Sequence, residues 1–226
     1  VSDASTIAVL ALVAGALSLD TTAAFQVMVS QPLVAGSLAG LAVGEPALGA
    51  AVGATLQLVW IGSLPVGAAP FPDAAPASAV GVGLAFLLGR GGVAPTWSLA
   101  AGVIVGLAAG AIGRAVVGRL RGFNTRIADL ALRRAERGDA GGVSAAVALG
   151  LATRFAAGFV VAATLLVAAA AVLGAILPDE APGAFPTLLW AAPVGAAAIA
   201  SVSRTRVERL FLVGGVAVGL VIVAVT

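Results

Sequence analysis

The chain has 226 residues, 61% of them hydrophobic and 10% charged, with a mean hydropathy of +1.13 and a formal net charge of +2. Soluble domains carry about 25% charged residues, so this composition excludes a soluble globular fold and predicts an all-α polytopic membrane protein. Long Ala, Leu and Gly runs replace the dyad alternation of a transmembrane β-barrel, and an isoelectric point near 11 reflects a few arginines in a nearly uncharged chain, with no reason to invoke nucleic acid.

Apolar segments are predicted near 4–19, 22–43, 47–64, 78–89, 96–117, 145–176, 184–201 and 208–225, within one membrane domain spanning 1–226. The first run, Ile7 to Leu19, has the length of a signal-peptide core. It lacks a basic n-region and the chain stays apolar after it, so it reads as a retained membrane segment. Region 20–78 is broken by Pro32, Pro46, Pro65, Pro70, Pro72 and Pro76, and the 78–89 piece is too short to span. Short, interrupted segments of this kind predict multiple transmembrane helices with broken or re-entrant hairpins, and 20–90 reads as that re-entrant core. Glycines recur four apart at Gly36, Gly40 and Gly44, at Gly49 and Gly53, and at Gly102, Gly106 and Gly110. That spacing predicts close helix packing and no ligand.

Next comes a connector over 114–140, with Arg114, Arg119, Arg121, Arg126, Arg133, Arg134 and Arg137 set against Asp129, Glu136 and Asp139. Within it "NTRIADLALRRAERGD" (124–139) is amphipathic, with Asn124 as an expected N-cap, Phe123, Ile127 and Leu130 on one face, and Asp129–Arg133 as an i,i+4 pair. It reads as a helix lying on anionic lipid or as a docking surface for a cytosolic partner. A second basic turn holds Arg204, Arg206 and Arg209. The positive-inside rule puts both turns in the cytoplasm, the Asp179-Glu180 junction outside, and the C-terminus outside. Residues 145–226 are read as the later transmembrane helices.

The chain contains no Cys and no His. That rules out a disulfide framework and thiolate metal sites, and leaves the usual phosphoryl-carrying and acyl-carrying nucleophiles missing. No catalytic residue, metal ligand or cofactor is assigned, and covalent chemistry must be done by a partner.

Polar groups inside apolar segments cost at least ~2.5 kcal/mol when ionised at the bilayer centre, and each one asks for a task. They are Asp20 in "LSLDTTAAFQ", Gln26, Ser30 and Gln31 in "FQVMVSQPL", Gln57 three residues before Trp60 in "ATLQLVWIG", Asp73 after Phe71-Pro72, and Arg154 in "LATRFAAGF". Carboxylates and amides suit hydroxyl groups, and a Trp face stacks on the C–H surface of a sugar. The set therefore points to a neutral polyol; a cation path would show more acid and an anion path more Arg. Structural readings stand beside these. Asp20 could cap a helix N-terminus, Gln57 bond a neighbouring helix, Trp60 anchor at the interface, and Arg154 neutralise an acid or snorkel.

The stretch "LDTTAAFQVMVSQPLVAGSLAGLAVGEPALGAAVGATLQLVWIGSLPVGAAPFPDAAPAS" (19–78) resembles membrane component IIC of the mannose-class (mannose/fructose/sorbose) sugar phosphotransferase system. The LD…FQ…QPL opening carries the likeness, together with the Gly44-Glu45 turn, the G-x-T-L-Q helix and the P-V-G-A-A-x-x-P-D-x-x-x-A-S segment. "LATRFAAGF" and the arginine-rich segment match more loosely. The resemblance implies an elevator-type translocator with a moving sugar-holding core and an oligomerising scaffold. It implies a hexose substrate, a IID membrane subunit, and cytosolic IIA and IIB phosphocarriers. The complex would be a hetero-oligomer in the bacterial inner membrane, with a trimer of heterodimers as one arrangement. By the same resemblance Asp20, Gln26, Gln31, Gln57 and Asp73 become sugar-facing candidates; Trp60 joins them for its stacking face, and Arg154 stands as a charge partner. Many members have Glu at Gln57, and the enteric type has His-Arg where this chain has Ser30-Gln31, which leaves the cargo open. A facilitator of the same ancestry, uncoupled from phosphorylation, is the second reading.

Overall fold

A computed structural model of the chain describes residues 3–61 and 71–177, and all regular structure among them is helical. The helices are α1 (Asp3–Thr22), α2 (Pro32–Val43), α3 (Pro46–Trp60), α4 (Ala74–Arg90), α5 (Pro95–Glu136) and α6 (Ala140–Ile176). Prolines stand at the first turns of α2, α3 and α5, where a missing N–H costs nothing and the fixed φ favours entry. The predicted segments 184–201 and 208–225, the acidic junction and the second basic turn lie outside the described residues.

α1, α5 and α6 are long and apolar enough to cross a membrane. α2 and α3, at 12 and 15 residues, rise only about 18 and 22 Å, against a hydrocarbon core of about 30 Å. They fold back on each other as a short hairpin, so the predicted single segment 22–43 is corrected to a loop over 23–31 followed by α2. Gly44 ends α2 with φ 82°, a left-handed conformation that glycine adopts without steric cost, and nothing lies within 4 Å of where its Cβ would be. It is therefore a turn glycine and has no packing role. The other glycines of the hairpin do pack. A Cβ on Gly36 would lie 2.7 Å from Gly53 Cα, one on Gly40 2.7 Å from Gly49 Cα, and one on Gly49 would strike the Gly36 carbonyl. Backbone meets backbone along this seam and has no flexible side chain to yield. Gly49→Val is expected to force the hairpin open and lower stability by about 1–3 kcal/mol or more, read as a fall in the melting temperature of the purified protein.

α4 is the hub. Nearly all its residues from Ala74 to Leu88 are buried, and it touches each of the other described helices. α1 and α4 run antiparallel, with Asp3 beside Arg90 at one end (3.8 Å). At the other end lie the C-terminus of α1, the start of α4 and the middle of α5, where Gly113 backs onto Asp73.

α5, with 42 residues, is about 63 Å long, roughly twice the hydrocarbon thickness. Its arginine-rich half continues straight from the apolar half and forms a stalk with the N-terminal part of α6. Asn124 therefore lies inside a helix and is no N-cap, which corrects the expected separate helix at 124–139. Nothing in 114–136 is a proline, so the helical ladder has no cause to break there. The real boundary is at 137–139. Gly138 takes φ 70°, and Asp139 caps α6 by accepting a hydrogen bond from Gly142 N–H at 2.8 Å. Arg134 donates to Asp139 at 2.9 Å and closes the turn, so the stalk's ion pair is this one and not Asp129–Arg133. The Gly142 N–H and the Arg134 guanidinium together hold the Asp139 carboxyl below its ordinary value.

Candidate functional site

The C-terminal turn of α1 delivers Asp20 to the head of the 23–31 loop, which corrects the expected helix N-cap role. The side chain is buried, and both carboxylate oxygens are occupied by the loop. Val27 N–H donates to Oδ1 at 2.6 Å, while Ser30 N–H and Oγ–H donate to Oδ2 at 3.0 and 2.8 Å. These bonds hold a costly backbone. Phe25, Gln26 and Met28 have φ of 67°, 54° and 67°, and such left-handed non-glycine residues cost about 1–3 kcal/mol each unless their surroundings enforce them. Here Asp20 does the enforcing.

The loop and the α1 terminus bound a cleft of about 290 Å³ lined by Asp20, Thr21, Gln26, Met28, Ser30, Gln31, Phe71 and Ala74. Three predicted residues thus meet: Asp20, Gln26 and Gln31. Gln57 joins through Gln31, its Nε2 donating to Gln31 Oε1 at 3.4 Å, while Gln57 Oε1 is buried without a partner. Thr21 Oγ1 is likewise buried without a partner, and it lines the cleft. Neither Thr21 nor Phe71 was singled out from the sequence. The signal was present in both cases, since Thr21 directly follows Asp20 and Phe71 precedes Pro72-Asp73.

Gln57, which touches the cleft only through Gln31, and two further predicted residues, Trp60 and Asp73, are not in the cleft lining. Trp60 packs its indole edge on Gly110 of α5, where an added Cβ would come within 2.7 Å of the ring. Asp73 is buried just outside the cleft. Its two oxygens accept Arg154 Nη1–H and Nη2–H at 2.9 and 2.8 Å, a bidentate pair with side chains 3% and 4% exposed. Gly113 makes room for this approach, since a Cβ there would lie 2.5 Å from Asp73 Cβ. Asp73 N–H also donates to the Gly110 carbonyl at 3.1 Å, fixing the entry to α4 against α5. The middle of the proline-rich element 56–78, residues 62–70, lies outside the described residues.

Electrostatically, the carboxylate of Asp20 is satisfied by three donors and that of Asp73 by one guanidinium. What faces the cleft is then amides, hydroxyls and a Phe ring, a lining matched to an uncharged, hydroxyl-rich ligand. The cleft sits at the same end of the bundle as the arginine stalk. Among the described residues no cluster of His, Cys, Asp or Glu could hold a metal ion.

Three comparisons bear on this arrangement. Residues 4–192 match a family described as the PTS system sorbose-specific IIC component. No curated protein matches the chain. Among solved structures it is similar to one described as a membrane protein, with a TM-score of 0.67 and 20% identity over 96% of this chain and 94% of that one, which shows a shared fold. A family match that runs through the hairpin, the Asp20 loop, the Asp73–Arg154 pair and the stalk leaves one assignment: the chain belongs to the sorbose-specific IIC family, the membrane component of a phosphotransferase-system sugar transporter.

Proposed function

We propose that the cleft between the Asp20 loop and the start of α4 is where this subunit holds a mannose-type hexose. The observation that carries the reading is the pairing of a carboxylate-clamped, strained loop with neutral amides, two of which, Gln31 and Gln57, contact each other across α2 and α3. Gln57 Oε1 and Thr21 Oγ1 lack partners and supply acceptors for sugar hydroxyls. Buried polar atoms left open in this way reject a ligand that lacks the matching hydroxyl far more strongly than an apolar wall does. Asp73 and Trp60 act one step back, setting the positions of α4 and α5 around the cleft. The partners in this reading are a IID membrane subunit and cytosolic IIA and IIB carriers in a hetero-oligomer, a trimer of heterodimers being one arrangement, in the bacterial inner membrane. The core carrying the cleft moves against the scaffold, and phosphate comes from IIB because this chain has no His or Cys to carry it.

Uptake of labelled hexoses, with free sugar separated from sugar phosphate inside the cell, tests the whole reading. Phosphorylated product is expected only when the neighbouring membrane and cytosolic subunits are present; entry of free sugar without them would make the protein a facilitator. In the same assay Gln57→Leu is expected to lower uptake roughly tenfold by removing a polar ligand of the sugar. Unchanged uptake would assign Gln57 to helix packing.

A further inference from the structure

Hydroxyls on the helices of this chain mostly fold back onto their own backbone. Ser37, Thr55 and Thr153 donate at 2.8 Å to the carbonyls four residues earlier, at Leu33, Ala51 and Leu149. Such bonds serve only the helix that carries them. Ser78, fully buried on α4, does otherwise: its Oγ–H donates to the Pro32 carbonyl of α2, 46 positions away, at 3.3 Å. The same carbonyl lies against α3. A Cβ on Gly53 would come within 2.5 Å of Pro32 O and 3.0 Å of Leu33 Cα, so only glycine lets the α2 backbone approach this closely. One carbonyl thus belongs to α2, rests on Gly53 of α3 and accepts from Ser78 of α4.

This junction lies directly behind the sugar cleft on all three helices. Pro32 follows Gln31, the residue that precedes α2 and lines the cleft. Gln57 is one turn beyond Gly53 on α3, and Ser78 is one turn beyond Ala74, another lining residue, on α4. Residues four apart share a helix face. The Gln31–Gln57 contact in front of the junction is 3.4 Å, at the outer limit of a hydrogen bond. A shift of a few tenths of an ångström between α2 and α3 therefore makes or breaks it.

We infer that Ser78 is a positioning residue for sugar binding. By seating the Pro32 carbonyl it sets the spacing of Gln31 and Gln57, and so decides which sugar hydroxyls the two amides bridge. Ser78 itself does not line the cleft. The inference rests on the reading of that cleft as the hexose site.

The test titrates mannose calorimetrically into the full chain in phosphatidylcholine nanodiscs. Ser78→Ala is expected to weaken binding about three- to tenfold while the melting temperature stays within about 4 °C of wild type. Ser78→Cys keeps the volume but donates weakly, and should bind like Ser78→Ala. Ser18, also fully buried, has an Oγ without a partner, so Ser18→Ala loses the same group and should leave binding unchanged. In the Ser78→Ala, Gln57→Leu double variant, Ser78→Ala should add little to the loss from Gln57→Leu, because the residue it acts through is gone. Hydrogen exchange without sugar gives a second readout. The Ala35 amide, which donates to the Gln31 carbonyl at 2.8 Å, should exchange faster in Ser78→Ala. Unchanged binding in Ser78→Ala overturns the inference, and with faster exchange it reduces Ser78 to a packing contact. Wild-type binding by Ser78→Cys, or a loss fully additive with that of Gln57→Leu, overturns it as well. If the wild-type protein binds no hexose, the cleft reading itself has failed, and the first titration shows this before any variant is compared.

Discussion

Replacing Arg154 with Met is expected to abolish sugar uptake and to cost about 3–5 kcal/mol of stability, because it strands the buried Asp73 carboxylate without its counter-charge. Both side chains are almost fully covered, and the bidentate geometry is the only compensation Asp73 has within the described structure. Asp73→Leu alone is expected to be nearly as harmful, since it leaves a buried guanidinium facing an apolar side chain. The double variant Asp73→Leu with Arg154→Met removes both charges at similar volume and should recover much of the stability. Melting temperatures of the four proteins close the cycle. Sugar binding then separates two roles for Asp73: if the double variant still binds hexose, Asp73 positions α4. If it melts normally and binds nothing, Asp73 touches the sugar directly.

The second large effect is expected at Asp20. Asp20→Ala removes the acceptor for three donors, each bond to a charged group contributing about 1.5–3 kcal/mol net of exchange with water. Phe25, Gln26 and Met28 then lose what holds them in left-handed backbone, and the loop should relax away from the cleft. Misplacement of a binding group by about 1 Å can cost roughly a hundredfold, and uptake is expected to fall on that scale. Asp20→Asn should rescue little. Both carboxylate oxygens accept N–H donors, so the amide nitrogen would face either Val27 N–H or Ser30 N–H. Hydrogen exchange of the Val27 and Ser30 amides, measured without sugar, is the decisive reading. Protection lost in Asp20→Ala establishes the clamp. Protection retained, with sugar binding gone, would make Asp20 a direct ligand.

Much of the architecture was legible from composition and spacing, because those properties are local. An apolar chain with too little charge to cover a soluble surface has to be helical in lipid. Glycines four apart mark a face where backbones meet, and Gly36, Gly40, Gly49 and Gly53 do so. The missing His and Cys leave the sequence without the usual phosphoryl-carrying side chains. Arginines gathered between 114 and 137 mark the end of the bundle that leaves the membrane.

What the sequence left open depended on partners far away along the chain. Asp73 and Arg154 are 81 positions apart, and no period or propensity connects them; only the packing of α4, α5 and α6 brings them together. Asn124 carried the local signature of a helix start, yet α5 runs through it because the ladder meets no proline and α6 lies alongside. Trp60 and Asp20 are sugar candidates by residue type alone. Tertiary packing sets the Trp60 indole against Gly110 and gives Asp20 its loop donors while keeping it in the cleft lining. Local sequence thus determined the class, the helix-forming segments and the inventory of polar groups. The fold decided which polar groups satisfy one another and which remain open to a ligand, because buried polar atoms are satisfied by whichever groups the packed helices place beside them.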